Sequence, residues 1–398
     1  MKRCFSHTRG LYLGLSVLAT VSCNDDAAIT EPAALPEQAI AATATPIAFY
    51  QVSGGEAHTC GIAADNRLYC WGFNGTGELG DGTTTDRHTP VPIAPELRFR
   101  QVSAGTSSTC AVTTTFQAYC WGANYAGSLG DGTESFRPTP TPVVGGHLFR
   151  HVEAHFFHTC GVSLDSRVYC WGDNRAGQLG DGTTTARLTP VPIGGALRFH
   201  GVSVGSFHSC AVATDNQAYR WGDNSKGQLG DRTEVPRRTT PTLVADGHRF
   251  RQLSAGYEHN CAVTTANRAF CWGNGRGGQI GNGRVYLSFW PRAVAGGHSF
   301  ERVTAALQHS CGETTTNRAY CWGVNGSGQL GDGTTQQRLS PAPVAGGHFF
   351  SQLSAGSFHS CGRTETGKGY CWGHNGNGRL GDGTTTRRIR PTPVAGTI

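Results

Sequence analysis

Tyr169-Cys170-Trp171-Gly172-Asp173-Asn174-Arg175-Ala176-Gly177-Gln178-Leu179-Gly180-Asp181-Gly182-Thr183 decides the reading of this chain, because variants of it recur along the whole length. Its Trp-Gly dipeptide begins at Trp71, Trp121, Trp171, Trp221, Trp272, Trp322 and Trp372, with successive spacings of 50, 50, 50, 51, 50 and 50 residues. A fixed period of this size marks a repeat architecture. The 398 residues therefore count repeats, not independent domains.

Upstream of the stretch stand Phe149-Arg150-His151-Val152-Glu153-Ala154 and His158-Thr159-Cys160-Gly161-Val162; downstream stands Thr189-Pro190-Val191-Pro192-Ile193. Together they make four short segments of period-2 character, separated by Gly, Asn and Asp turns. The second and third form a hairpin across Asp165-Ser166. The fourth alternates proline with aliphatics, and a residue without a ladder donor belongs on a sheet edge. The first carries small residues in most copies, which suits a crowded central axis. The expected fold is all-β: a seven-bladed β-propeller of four-stranded blades spanning residues 46–398. A content of 57 glycines and 37% hydrophobic residues fits such a turn-dense architecture.

The unit Tyr-Cys-Trp-Gly-x-Asn-x-x-Gly-Gln-Leu-Gly-Asp-Gly-Thr, preceded by Ala-Gly-x-x-His-[Thr/Ser], resembles the repeat of the regulator of chromosome condensation family. The resemblance implies the propeller, but one propeller serves many roles. Members that exchange guanine nucleotides use an extra wedge, for which the near-constant spacing leaves no room. Members that sense UV-B use tryptophans in the loop before the histidine, and no tryptophan precedes a histidine here. A secreted bacterial member grips a β-lactamase with one propeller face; its compartment matches, although no motif identifies a target.

Met1–Ser22 reads as a secretory leader, with Lys2, Arg3 and Arg9 before the apolar run Leu11–Val21. Val21-Ser22-Cys23 resembles the cleavage box of bacterial lipoproteins, with Thr20 where that box usually has Leu. The expectation is a mature chain that begins at a lipidated Cys23, followed by a flexible Ala/Pro/Glu-rich tether over 23–45. The protein is then lipid-anchored in the cell envelope or secreted, and touches a membrane only through the anchor. The net charge of +6 is spread without a Lys/Arg run, so no dedicated nucleic-acid ligand is expected.

Six repeats carry Cys-x9-Cys, which sets Cys60 with Cys70, Cys110 with Cys120 and Cys160 with Cys170 in the first three. In the last three it sets Cys261 with Cys271, Cys311 with Cys321 and Cys361 with Cys371. An even separation across a tight hairpin puts both thiols on one face of neighbouring strands, within disulfide range. In an exported chain this predicts six disulfides and no metal. The fourth repeat has Arg220 instead, leaving Cys210 single. The recurring His58, His158, His208, His259, His309 and His359 read as hydrogen-bonding groups, and Leu-Gly-Asp-Gly-Thr as a turn. No nucleophile elbow, paired carboxylates or phosphate loop stands outside the repeating frame, so no catalytic residue and no cofactor are assigned.

In an up-and-down blade the turn from strand one to two and the turn from three to four share one face of the ring. The residues that vary there include Tyr125, Phe156, Phe157, Phe207, Tyr257, Leu307 and Phe358, with Arg175, Lys226 and Arg276. Unlike, aromatic- and Arg-containing positions on a repeated frame have the composition of an interface. The expected function is a monomeric interaction module that binds a protein or glycan partner through this face; the alternative is an enzyme built on the propeller. Repeat five departs most from the frame, with Val285-Tyr286-Leu287-Ser288-Phe289-Trp290, which adds Tyr286 and Phe289 as candidate anchors. Finally, Thr45-Pro46-Ile47 resembles the proline-rich fourth strand and competes with Pro391-Thr392-Pro393-Val394 for the edge of the last blade.

Overall fold

The computed structural model describes residues 46–397. The leader, Cys23 and the whole 23–45 tether lie outside the described residues. Twenty-eight strands form seven four-stranded antiparallel sheets, each in strict chain order. In blade 1 these are β1 (Phe49–Gly54), β2 (His58–Ala63), β3 (Leu68–Gly72) and β4 (Arg87–Ile93). The other six repeats build the same blade, so the chain is a seven-bladed β-propeller.

Local chemistry sets each blade. The β2–β3 hairpin turns through Asn66 at φ 66°, a left-handed conformation that Asn tolerates because its short polar side chain bonds locally. Asn216, Asn267 and Asn317 hold the same place in later blades. The central strand β2 is buried at every residue. Outer strand β4 carries Pro90 and Pro92 and is half-buried or exposed at every residue but Ile93, as suits an edge.

The cores lie between blades, one per seam. Each unites the middle strands of one blade with the first strand and Trp of the next, as in Val162, Val168 and Leu179 against Phe199, Val202 and Trp221. All seven repeat tryptophans have no exposed surface. The indole N–H of Trp121 donates to the Glu78 carbonyl of the preceding blade at 2.9 Å, and that of Trp71 donates to Arg379 at 3.0 Å. The same bond is made by Trp221, Trp272, Trp322 and Trp372, whereas the Trp171 indole nitrogen has no partner among the described residues. Gly80 has φ +80°, and a Cβ there would come 2.5 Å from the Trp121 indole nitrogen.

Blade 7 meets blade 1 through the indole, imidazole and glutamine contacts used at other seams, which closes the ring. The Gln352 carboxamide accepts from Val52 N–H at 3.0 Å and donates to Val52 C=O at 2.9 Å. The edge of the last blade is Arg388–Pro393. This corrects the expected competition: Ile47 does not take that edge but pairs in parallel with Thr397, its N–H donating to Gly396 at 2.7 Å. The last blade already owns its fourth strand, so the N-terminal segment can only pair beyond it.

Candidate functional site

The six cysteine pairs face each other in register across the second and third strands, as Cys60 faces Cys70 in blade 1. Cys60 is bonded to Cys70, Cys110 to Cys120, Cys160 to Cys170, Cys261 to Cys271, Cys311 to Cys321 and Cys361 to Cys371, with Cα–Cα distances of 4.0–4.1 Å. All twelve sulfurs are inside the blades, so these bonds are scaffold and present nothing to a ligand. In blade 4 the register sets Cys210 opposite Arg220. Arg220 is wholly buried, with its guanidinium 3.5 Å over the Trp272 ring and Nη1 donating to Gln228 C=O at 3.0 Å. Its Nε and Nη2 have no partner among the described residues. Burial pulls this guanidinium down to about 9 and pushes the Cys210 thiol up to about 12. A thiol so protonated is a poor nucleophile.

The histidines and Asp-Gly turns are built into the scaffold. His58 Nε2 lies 2.8 Å from Thr109 Oγ1 of the next blade, whose hydroxyl donates to Glu78 C=O at 2.8 Å. The hydroxyl proton is therefore spent, and the imidazole is the donor through Nε2–H. The same relay runs from His158, His208, His259, His309 and His359, with Ser, Asn or Thr as receiver. Burial holds these imidazoles neutral, His58 and His259 at about 3 and His208 at about 4. In the Asp-Gly turn, Asp81 accepts from the Thr83 backbone and hydroxyl, from Asn74 and from Arg87. Burial alone would raise this carboxyl, but the bonds from Thr83 and Arg87 outweigh it and hold it below the usual range.

One face gathers aromatic side chains. Phe156 is the hub, with ring centroids 4.5 Å from Phe157, 6.1 Å from Phe207 and 5.8 Å from Tyr257. Tyr125 meets Phe157 edge-on at 5.7 Å and remains 55% exposed. Beside this group a hollow of about 220 Å³ opens on the axis, walled by Phe156, Tyr257, Leu307 and Phe358 with Glu56 and His155. His155, where most repeats have Gly, adds a ring beside Phe156 that the residue pattern did not single out. Tyr286 and Phe289 are placed apart, at the outer strand of blade 5. The Tyr286 hydroxyl accepts from Asn282 at 2.8 Å, in the turn where other repeats use an Asp–Arg pair. Phe289 packs on Gly227 of blade 4, and Trp290 lies under Arg292 at 4.1 Å.

Seven such blades, each with its Trp-Gly unit, are what a family-level comparison recovers. An RCC1-like domain matches residues 16–296, and regulator of chromosome condensation (RCC1) repeats match 317–362 and 350–379. The chain belongs to the regulator of chromosome condensation family. Among solved structures, Prp20p from Saccharomyces cerevisiae, described with its binding to Gsp1p and histones, is 20% identical at TM-score 0.73, covering 84% of this chain and 87% of that one. Yeast RCC1 (Prp20) in complex with Kap60 is 19% identical at TM-score 0.74 over 95% and 91%. The CRINKLY ectodomain of the Arabidopsis thaliana receptor kinase ACR4 is 20% identical at TM-score 0.53 over 82% and 96%. These likenesses concern the fold. No functionally curated protein matches the chain.

The RCC1 repeats leave an axial channel lined by their first strands. Its waist is a collar of Ser53, Ser103, Ser203, Ser254, Thr304 and Ser354 with one carboxylate, Glu153, which accepts from Ser203 at 3.2 Å. Beyond the waist, away from the aromatic face, the channel widens to about 660 Å³ among Arg100, Arg150, Arg251 and Arg302. Four of the RCC1 repeats seal their seam there with a glutamine. Gln51, Gln101, Gln252 and Gln352 each bridge the N–H and C=O of one residue in the next blade. The others carry His151, Gly201 and Arg302. At Arg302 the opposing residue is the buried Glu313. Burial pushes Glu313 up to about 7, against the pull of Arg302.

Proposed function

We propose that this protein is an exported interaction module that binds a protein partner through its aromatic face. The carrying observation is the contiguous packing of Tyr125, Phe156, Phe157, Phe207 and Tyr257 beside the axial hollow. Clustered aromatic anchors beside a hollow are the surface type that carries most binding energy in protein interfaces. Neighbours of this fold bind proteins, namely Kap60 and Gsp1p in the yeast case. The disulfide pairs support an oxidising compartment, and the Met1–Ser22 leader with Cys23 supports lipid-anchored export. Among the described residues no helix is long and apolar enough to cross a membrane.

The test compares the wild-type chain with Phe156→Ala/Tyr257→Ala in cross-linking and affinity capture from the envelope of the producing organism. Loss of two anchors costs at least about 2 kcal/mol, roughly 30-fold in affinity. A partner captured by the wild type is expected to be lost from the variant at unchanged melting temperature. Equal recovery by both would remove the aromatic face from the interface. Fatty-acid labelling of the wild type but not of Cys23→Ser is the expected result for the anchor.

A further inference from the structure

The glutamine bridges give a reference for the one seam that lacks any side chain. Gly201 stands where Gln51, Gln101, Gln252 and Gln352 reach across to the next blade. It has no left-handed backbone that would require glycine, and a Cβ built on it meets nothing within 4 Å. Across the seam, the Leu253 N–H meets no side-chain acceptor among the described residues. The Leu253 carbonyl is already occupied, accepting from Gln252 Nε2 at 3.0 Å. The gap therefore presents a donor, and what fits it is an acceptor without a compulsory donor: a carboxylate suits it better than a carboxamide.

The surroundings agree in charge and shape. Gly201, Val202, Val212 and Leu253 line the 660 Å³ cavity with Arg150, His151, His200 and Arg251 at their sides. Of the nearby acids, Glu153 pairs with His151 and Ser203 and Glu301 with Arg251 at 2.9 Å, while Glu313, also in the lining, faces Arg302 and is pushed toward its neutral form by burial. Basic groups around a cleft with low-dielectric walls focus their field into it. Val202, Val212 and Leu253 offer an apolar floor for a few methylenes. The volume lies in the range of small-ligand sites.

We infer that the wide end of the axial channel binds a small aliphatic carboxylic acid, its carboxylate seated between Gly201 and the Leu253 N–H. This site is at the opposite end of the channel from the aromatic face and does not depend on the proposed partner.

Isothermal titration of the full chain with glutarate, which copies the reach of a glutamine side chain, tests it. Glutarate is expected to bind saturably, and glutaramide about 10-fold more weakly or worse, the order expected when one charge-assisted hydrogen bond is lost. Gly201→Gln is expected to abolish glutarate binding and raise the melting temperature, because its own carboxamide reaches the Leu253 N–H. Equal binding of the diamide, undiminished glutarate binding by Gly201→Gln, or no binding to the wild type would each overturn the inference. Should Gly201→Gln not fold, His200→Ala, an exposed position, is expected to weaken glutarate several-fold, and unchanged affinity would count against the site. Triglutamate is the arm that separates sources. Tighter binding than glutarate assigns the site to an acidic peptide end, and weaker binding assigns it to a free acid.

Discussion

Replacing Arg220 with cysteine is expected to install a seventh disulfide and stabilise the ring. Cys210 and Arg220 are register partners in the same hairpin position as the six bonded pairs, whose Cα atoms lie 4.0–4.1 Å apart. The backbone is thus already placed for a bridge. Closing a loop of about 10 residues contributes roughly 2.7 kcal/mol in the chain-entropy account. With an unfolding entropy of about 2.1 cal/mol/K per residue over roughly 350 residues, that corresponds to a melting temperature about 4 °C higher. A second effect has the same sign, since the substitution removes a buried charge with two unpartnered donor nitrogens. Against both stands the loss of the guanidinium stack on Trp272 and of its packing volume. Scanning calorimetry with and without reductant, together with thiol titration after denaturation, reads the outcome. Arg220→Cys should melt higher when oxidised than when reduced, and the Cys210 thiol should become untitratable in the oxidised form. Arg220→Cys combined with Cys210→Ser, which removes the arginine without adding a bridge, separates the two contributions. A lower melting temperature for the oxidised single variant would refute the reasoning and show that the stacked arginine stabilises this seam more than a disulfide can.

Acid should loosen the propeller before most carboxylates titrate. The buried histidines are held far below their unfolded pKa, so the unfolded chain binds more protons, and stability present above about pH 6.5 is lost as pH falls toward 4 and 3; melting temperatures across that range check it. Glu313 acts in the opposite direction. Its folded value of about 7 lies above the ordinary 4.5, so its contribution is lost as pH rises, and Glu313→Gln should stabilise at pH 8, by at most about 3 kcal/mol, while changing little at pH 4. Asp131→Ala should cost about 2 kcal/mol by denaturant titration, because it strips acceptors from Thr133, Asn124 and Arg137 at once. The matching Asn282→Ala in blade 5, where Tyr286 replaces the ion pair, should cost less.

What was legible in the sequence is what repeats within one blade. The Trp-Gly period counted seven blades, the paired prolines of the fourth segment marked the outer edge, and Cys-x9-Cys gave the hairpin register, because each of these depends on residues close together in the chain. The aromatic positions on the rim were readable from the same frame as positions, though not as contacts. Tertiary structure decided what passes between blades. That Phe156 and not Phe157 is the hub, that Phe289 fills the space over Gly227, and that Ile47 pairs beyond the last blade all depend on residues in different repeats, far apart in the chain. So do the pairing of Gln51 with Val102 and the gap at Gly201. The physical reason is that a repeat unit specifies its own strands by local period and turn chemistry. A seam is a match between two different side chains on two units, and whether they reach each other is settled only when the ring closes.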